Sequence, residues 1–164
     1  MYTFQTQLYC RIKYYEGCSA IINQHNGTLQ SPAYALGADY PANQECVYRI
    51  RHPEGGRLSM IFTDLNIHPT DKIEVYDGLN GLPLHPADGF TGSETPDYVL
   101  TAETGEMNVK FTSDAVKNQG GFAATFSADC PDLTLGRGVI SSSLGTIFGS
   151  KAVFTCPEGQ VGIY

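Results

Sequence analysis

Residues 107–128 read MNVKFTSDAVKNQGGFAATFSA, and the fold is decided here. Met107, Val109 and Phe111 share one parity, while Asn108, Lys110 and Thr112 take the other. Phe122, Ala124, Phe126 and Ala128 repeat the pattern beyond a polar connection. Alternation with period two makes half-buried strands, because successive side chains point to opposite faces of a sheet. Between the two runs, residues 113–121 hold Asp, Asn and two adjacent glycines, the composition of a hairpin loop. The second of those glycines, Gly121, lets the backbone re-enter the sheet ahead of Phe122. The two strands are expected to form a hairpin that closes a β-sandwich.

Upstream, the same periodicity recurs. GTLQSPAY gives a short strand ending at Ser31-Pro32, since the residue before proline is pushed to extended geometry. A loop rich in Gly, Pro, Asn and Asp follows. The strand from Cys46 to Ile50 sets Tyr48 and Ile50 on one face. Leu58, Met60 and Phe62 alternate in a longer strand, and Ile73 and Val75 do so in KIEVYDG. Asp77-Gly78 is the strongest short turn signal in the chain. A strand is expected again at Tyr98-Val99-Leu100. Helical periodicity is absent. About seven short strands with turns between them predict an all-β sandwich.

Composition narrows the function. Net charge is −7 over 164 residues, and the basic residues are scattered singly. Nucleic-acid binding needs clustered Lys and Arg to displace counterions, so that class is excluded. No apolar run approaches the roughly 20 residues of a membrane-spanning helix. The opening MYTFQTQLYCRIKYY has neither the apolar core nor the cleavage site of a signal peptide. Five widely spread cysteines, with no CxxC pair, point to an oxidising, extracellular setting rather than a metal cluster. The sequon Asn26-Gly27-Thr28 agrees, makes Asn26 a glycan acceptor, and reads as a surface turn. The chain is expected to be a piece of a longer exported protein, secreted or membrane-anchored.

Cys18, GTLQSPAY, YPANQEC, FTDL, IEVYDG, KFTSD and GGFAATF occur in the order of the landmarks of a CUB domain, and residues 18–128 resemble that family. The resemblance implies a jelly-roll-like antiparallel sandwich with a disulfide between Cys18 and Cys46, 28 residues apart. Closing such a loop is worth about 3 kcal/mol in loop-entropy terms. A second bridge usual in the family is missing, since its places read His68-Pro69 and Phe90-Thr91-Gly92. Residues 130–164 resemble the first half of a sushi (complement-control) module, with Cys130-Pro131, Gly138, the strand Ala152-Val153-Phe154 and Cys156-Pro157. Cys130 and Cys156 are then unpaired in this segment, their partners lying in the missing half. Residues 1–17 read as an N-terminal segment, with Cys10 the unpaired last cysteine of a preceding module.

The resemblance also implies a site. Many CUB domains bind Ca²⁺ through a tyrosine, a glutamate and two aspartates. Position by position these fall on Tyr40, His68, Asp71 and Asp114. Ca²⁺ takes six to eight oxygen ligands, and an imidazole replaces a carboxylate poorly, so the cofactor expectation is a weak Ca²⁺ site. The plain alternative is that Asp71 and Asp114 cap loops and accept backbone N–H groups. Beside Asp71, His68 could also make ligand binding pH-sensitive. His25, His52, His68 and His85 all fall in loops, and no HExxH or GxSxG pattern occurs, so the segment is not expected to be an enzyme. Tyr34, Tyr40, Tyr48, Tyr76 and Tyr98 are expected to fill strand faces and corners. The expected partner is an extracellular protein, basic in character because this chain is acidic. The resemblance implies a recognition or adhesion segment of a CUB/sushi protein, such as a synaptic receptor or complement regulator. The alternative is a docking or dimerisation arm of a secreted complement-type serine protease.

Overall fold

The computed structural model of the chain describes residues 18–84 and 86–129, together with 140–141 and 154–155. The strands are β1 (Ala20–Asn23), β2 (Asn26–Gln30), β3 (Glu45–Arg51), β4 (Leu58–Asn66), β5 (Lys72–Asp77), β6 (Leu100–Ala102), β7 (Glu106–Thr112) and β8 (Gly121–Ala128). One 3-10 turn, Tyr34–Leu36, lies between β2 and β3. Two four-stranded sheets, ordered β1-β3-β7-β5 and β2-β8-β4-β6, face each other. The all-β sandwich expectation holds. Two short strands, β9 (Ile140–Ser141) and β10 (Phe154–Thr155), pair antiparallel downstream. Cys10, His85, Cys130 and Cys156 lie outside the described residues.

Four expectations need correction. The stretch 107–128 is not a hairpin: β7 pairs with β3 and β5, whereas β8 pairs with β2 and β4. Both edges of β7 are taken, so the connection crosses the sandwich instead of turning back beside it. Period-two alternation tells which face a strand buries and is silent about its neighbour. Second, β1 runs parallel to β3, with Ala20 opposite Tyr48, so one sheet is not wholly antiparallel. This is open to it because the chain passes through the opposite sheet as β2 before returning as β3. Third, the late strand is Leu100–Ala102, and Tyr98 is exposed ahead of it. Asn26-Gly27 likewise sits in β2, opposite Ser127 and Phe126, rather than in a turn.

The inward residues follow the alternation. Tyr48 and Ile50 from β3, Ile73 and Val75 from β5, and Met107, Val109 and Phe111 from β7 meet Leu58, Met60, Phe62, Phe122, Ala124 and Phe126 from the other sheet. In β4 the register shifts between Phe62 and Asp64. The bulge inserts one residue, so Leu65 rather than Asp64 turns inward. Phe111 and Phe122, from opposite sheets, stack edge-on with ring centroids 5.6 Å apart. The outward face of β3, β5 and β7 carries ion pairs, Arg49 and Arg51 with Glu106, Lys72 with Glu74, and Lys110 with Glu45.

Gly121 is where the crossing chain enters β8. Its φ is +98°, and a Cβ there would stand 1.9 Å from Ser31 Oγ. That hydroxyl accepts the Phe122 N–H at 3.0 Å, so it cannot move away without breaking the bond. Gly121→Ala is therefore expected to cost about 2 kcal/mol or more, from backbone strain and displacement of Ser31. The urea midpoint of unfolding measures it, and an unchanged midpoint would contradict the packing described.

At the far end of β5, Asp77 accepts the backbone N–H groups of Glu103 and Thr104, both at 3.1 Å, and the Thr104 hydroxyl at 2.6 Å. Burial pushes its carboxyl up, but the three donors outweigh it and hold the group below the usual carboxylate range. Its stabilisation is present above the unfolded carboxylate value of about 4 and is lost as pH falls through the lower folded value. Asp77→Asn is expected to lower stability by about 1 kcal/mol at neutral pH and by less in acid. Urea titrations of both proteins along a pH series would show the two curves converging below about pH 4.

Candidate functional site

Tyr40, Asp71 and Asp114 come from three different connections and meet at one end of the sandwich. Tyr40 lies in the loop ahead of β3, held by its N–H to the Gln119 carbonyl at 3.1 Å. Its ring packs edge-on against Phe111, centroids 5.1 Å apart. The β4–β5 connection is a tight turn, His68-Pro69-Thr70-Asp71, closed by the Asp71 N–H on the His68 carbonyl at 2.9 Å. Proline as second residue presets the backbone for such a turn. Asp114 follows β7, where its carbonyl accepts the Asn43 N–H at 2.8 Å.

Every carboxylate oxygen of the pair accepts a hydrogen bond. Asp71 Oδ2 takes the Tyr40 hydroxyl at 2.5 Å, and its Oδ1 takes the Asp114 N–H at 2.8 Å. Asp114 Oδ1 takes the Val116 N–H at 2.7 Å, and its Oδ2 takes the Thr70 hydroxyl at 2.7 Å. The Tyr40 oxygen in turn accepts the His68 N–H at 2.9 Å. His68 Nδ1 lies 2.9 Å from Thr70 Oγ1. Asp71 is only 2% exposed and Tyr40 is fully buried. Burial, then the bond to Asp71, pushes the Tyr40 phenol up to about 12. The Thr70 hydroxyl, helped by the Val116 N–H, holds the Asp114 carboxyl below its ordinary value.

Thr70 is the participant that sequence reasoning missed. Its hydroxyl links His68 to Asp114, and nothing in the spacing of PTD signals that bridge. Asn26 is exposed at the start of β2. Cys18 and Cys46 are joined, with Cα atoms 5.0 Å apart. Of the tyrosines, Tyr40 and Tyr48 are core residues, whereas Tyr98 is exposed. His25 and His52 stack edge-on, centroids 5.9 Å apart, away from Tyr40 and Asp71 near the exit of β8, where the Ala128 N–H bonds the His25 carbonyl.

The CUB resemblance implies Ca²⁺ at this pole, and the arrangement can be tested against it. The ion takes six to eight oxygens at 2.3–2.6 Å and gains most from several negative charges. Here there are two carboxylates, all four oxygens already accept hydrogen bonds from the protein, the phenol oxygen is used as donor and acceptor, and the fourth position is an imidazole. Among the described residues no group of three His, Cys, Asp or Glu could hold a metal ion. The residues as arranged do not fit Ca²⁺.

The sandwich, with three loops tied together at one pole, is the frame of an interaction module. Residues 18–126 match the sequence profile of the CUB domain family. Tolloid-like protein 2 of Mus musculus is 32% identical over 139 residues, covering 81% of this chain and 13% of that protein. Cubilin of Canis lupus familiaris is 29% identical over 145 residues, covering 88% of this chain and 4% of that protein. Among solved structures, the MASP-1 CUB2 domain bound to Ca²⁺ aligns with a TM-score of 0.56 at 25% identity, covering 66% of this chain and 96% of that domain. The chain belongs to the CUB domain family. It spans a small fraction of the curated relatives it matches, and the profile match ends at residue 126. Among the described residues no helix is long and apolar enough to cross a membrane.

Proposed function

We propose that this chain is a protein-recognition segment of a multi-module extracellular CUB/sushi protein, of the synaptic-receptor or complement-regulator type. The observation that carries the reading is the pole itself. Three loops are tied together there through Tyr40, Asp71 and Asp114. A basic protein partner suits it, because the sheet cations are engaged in ion pairs while Asp39, Asp88, Glu94 and Asp97 stand exposed elsewhere. Ca²⁺ has at most a weak, accessory part. Residues 130–164 are read as the opening half of a sushi module, with Cys130 and Cys156 awaiting partners, and residues 1–17 as the end of a preceding module. A glycan on Asn26 is part of the same reading, supported by the exposure of that side chain.

A docking arm of a secreted complement-type protease is the second reading, favoured by the likeness to the MASP-1 CUB2 domain. His68 in place of the family glutamate weighs against it, since docking of that kind works through Ca²⁺. Sequencing the transcript across both ends of this segment decides between them. Further sushi and CUB modules support the first reading, and a downstream serine protease triad overturns it. Peptide mass mapping after glycosidase treatment tests Asn26.

A further inference from the structure

We propose that the pole of this domain is built to stand without a cation, its two carboxylates answered by the protein's own donors and Thr70 joining His68 to Asp114. The arrangement of protons carries the inference. A threonine hydroxyl has one proton, and Thr70 gives it to Asp114 Oδ2 at 2.7 Å. Thr70 Oγ1 also lies 2.9 Å from His68 Nδ1, and the Thr70 backbone N–H points to that same nitrogen at 3.4 Å, so ring and hydroxyl are held side by side. The contacts run from the imidazole nitrogen to the hydroxyl, and the hydroxyl donates on to the carboxylate. The same carboxylate takes the Val116 N–H, and the Asp114 N–H closes the ring on Asp71.

Negative charge is thus answered by directed donors. Two carboxylates in one cluster repel unless something positive or proton-donating lies between them. Here the Tyr40 hydroxyl serves Asp71 and the Thr70 hydroxyl serves Asp114, so neither is left bare. The third acid of the family pattern would add a negative charge beside Thr70 and Asp114. His68 therefore does more than fail to ligate: it keeps a third carboxylate out of a ring whose donors are matched to two.

The test is thermal unfolding of the full chain in chelator and in millimolar Ca²⁺, with isothermal titration of Ca²⁺ alongside. The wild-type chain is expected to melt at the same temperature in both and to give no heat. His68→Glu is expected to melt lower in chelator and to regain the loss on adding Ca²⁺. A rise in wild-type melting temperature with Ca²⁺, or measurable binding heat, overturns the proposal. Should His68→Glu fail to fold, Thr70→Val serves instead. It removes the Thr70 hydroxyl without adding charge, and is expected to lower the melting temperature equally in chelator and in Ca²⁺. An unchanged melting temperature for Thr70→Val would also overturn it.

Discussion

Phe111→Ala is expected to lower the stability of the domain by about 4 kcal/mol, the largest effect of any single substitution considered. The ring is fully buried and stands between the sheets. It meets Phe122 of the opposite sheet edge-on at 5.6 Å and Tyr40 of the pole at 5.1 Å. Truncation forfeits the transfer energy of the ring and leaves a cavity lined by other aromatic rings, which cannot all move to fill it. The loss should reach the pole, because the Tyr40 ring rests on Phe111 while its hydroxyl holds Asp71. Urea unfolding followed by near-ultraviolet circular dichroism reads both effects. A loss under about 1 kcal/mol, typical of surface substitutions, would mean that the ring is not a packing element.

Replacing both Cys18 and Cys46 with alanine is expected to cost about 3 kcal/mol, and to release β1 first. The bridge spans 28 residues of sequence and closes a loop holding β1, β2 and the 3-10 turn. Among the described residues β1 has β3 as its one partner strand, so little else holds it once the bridge is gone. The Ser19 hydroxyl on the Val47 N–H, at 3.0 Å, is the remaining tie close by. Hydrogen exchange should show the amides of Ala20–Asn23 losing protection before those of β3. If β1 and β3 exchange together, the bridge acts on the whole unfolded chain and not on this edge.

Much of the core was legible in the chain because burial alternates with parity. Tyr48 and Ile50, Ile73 and Val75, and Met107, Val109 and Phe111 all lie inside. The same logic failed for Tyr98, since three apolar residues in a row carry no phase. It also could not foresee Leu65, whose inward turn depends on a bulge between Phe62 and Asp64. At the pole, Tyr40, Asp71 and Asp114 could be named from the family pattern, but Thr70 could not. A hydroxyl that bridges two side chains leaves no periodicity behind it.

By itself, the sequence determined the class of fold, the strand faces and the residue types gathered at the pole. Alternation, turn glycines and prolines are local properties, and each acts through the backbone of its own few residues. Tertiary structure alone decided which strands are neighbours. It sent β7 and β8 to opposite sheets and set β1 parallel to β3. It also decided that the pole carboxylates are satisfied by the protein's own protons. Pairing and proton direction depend on which edges and lone pairs remain free once every other element is in place.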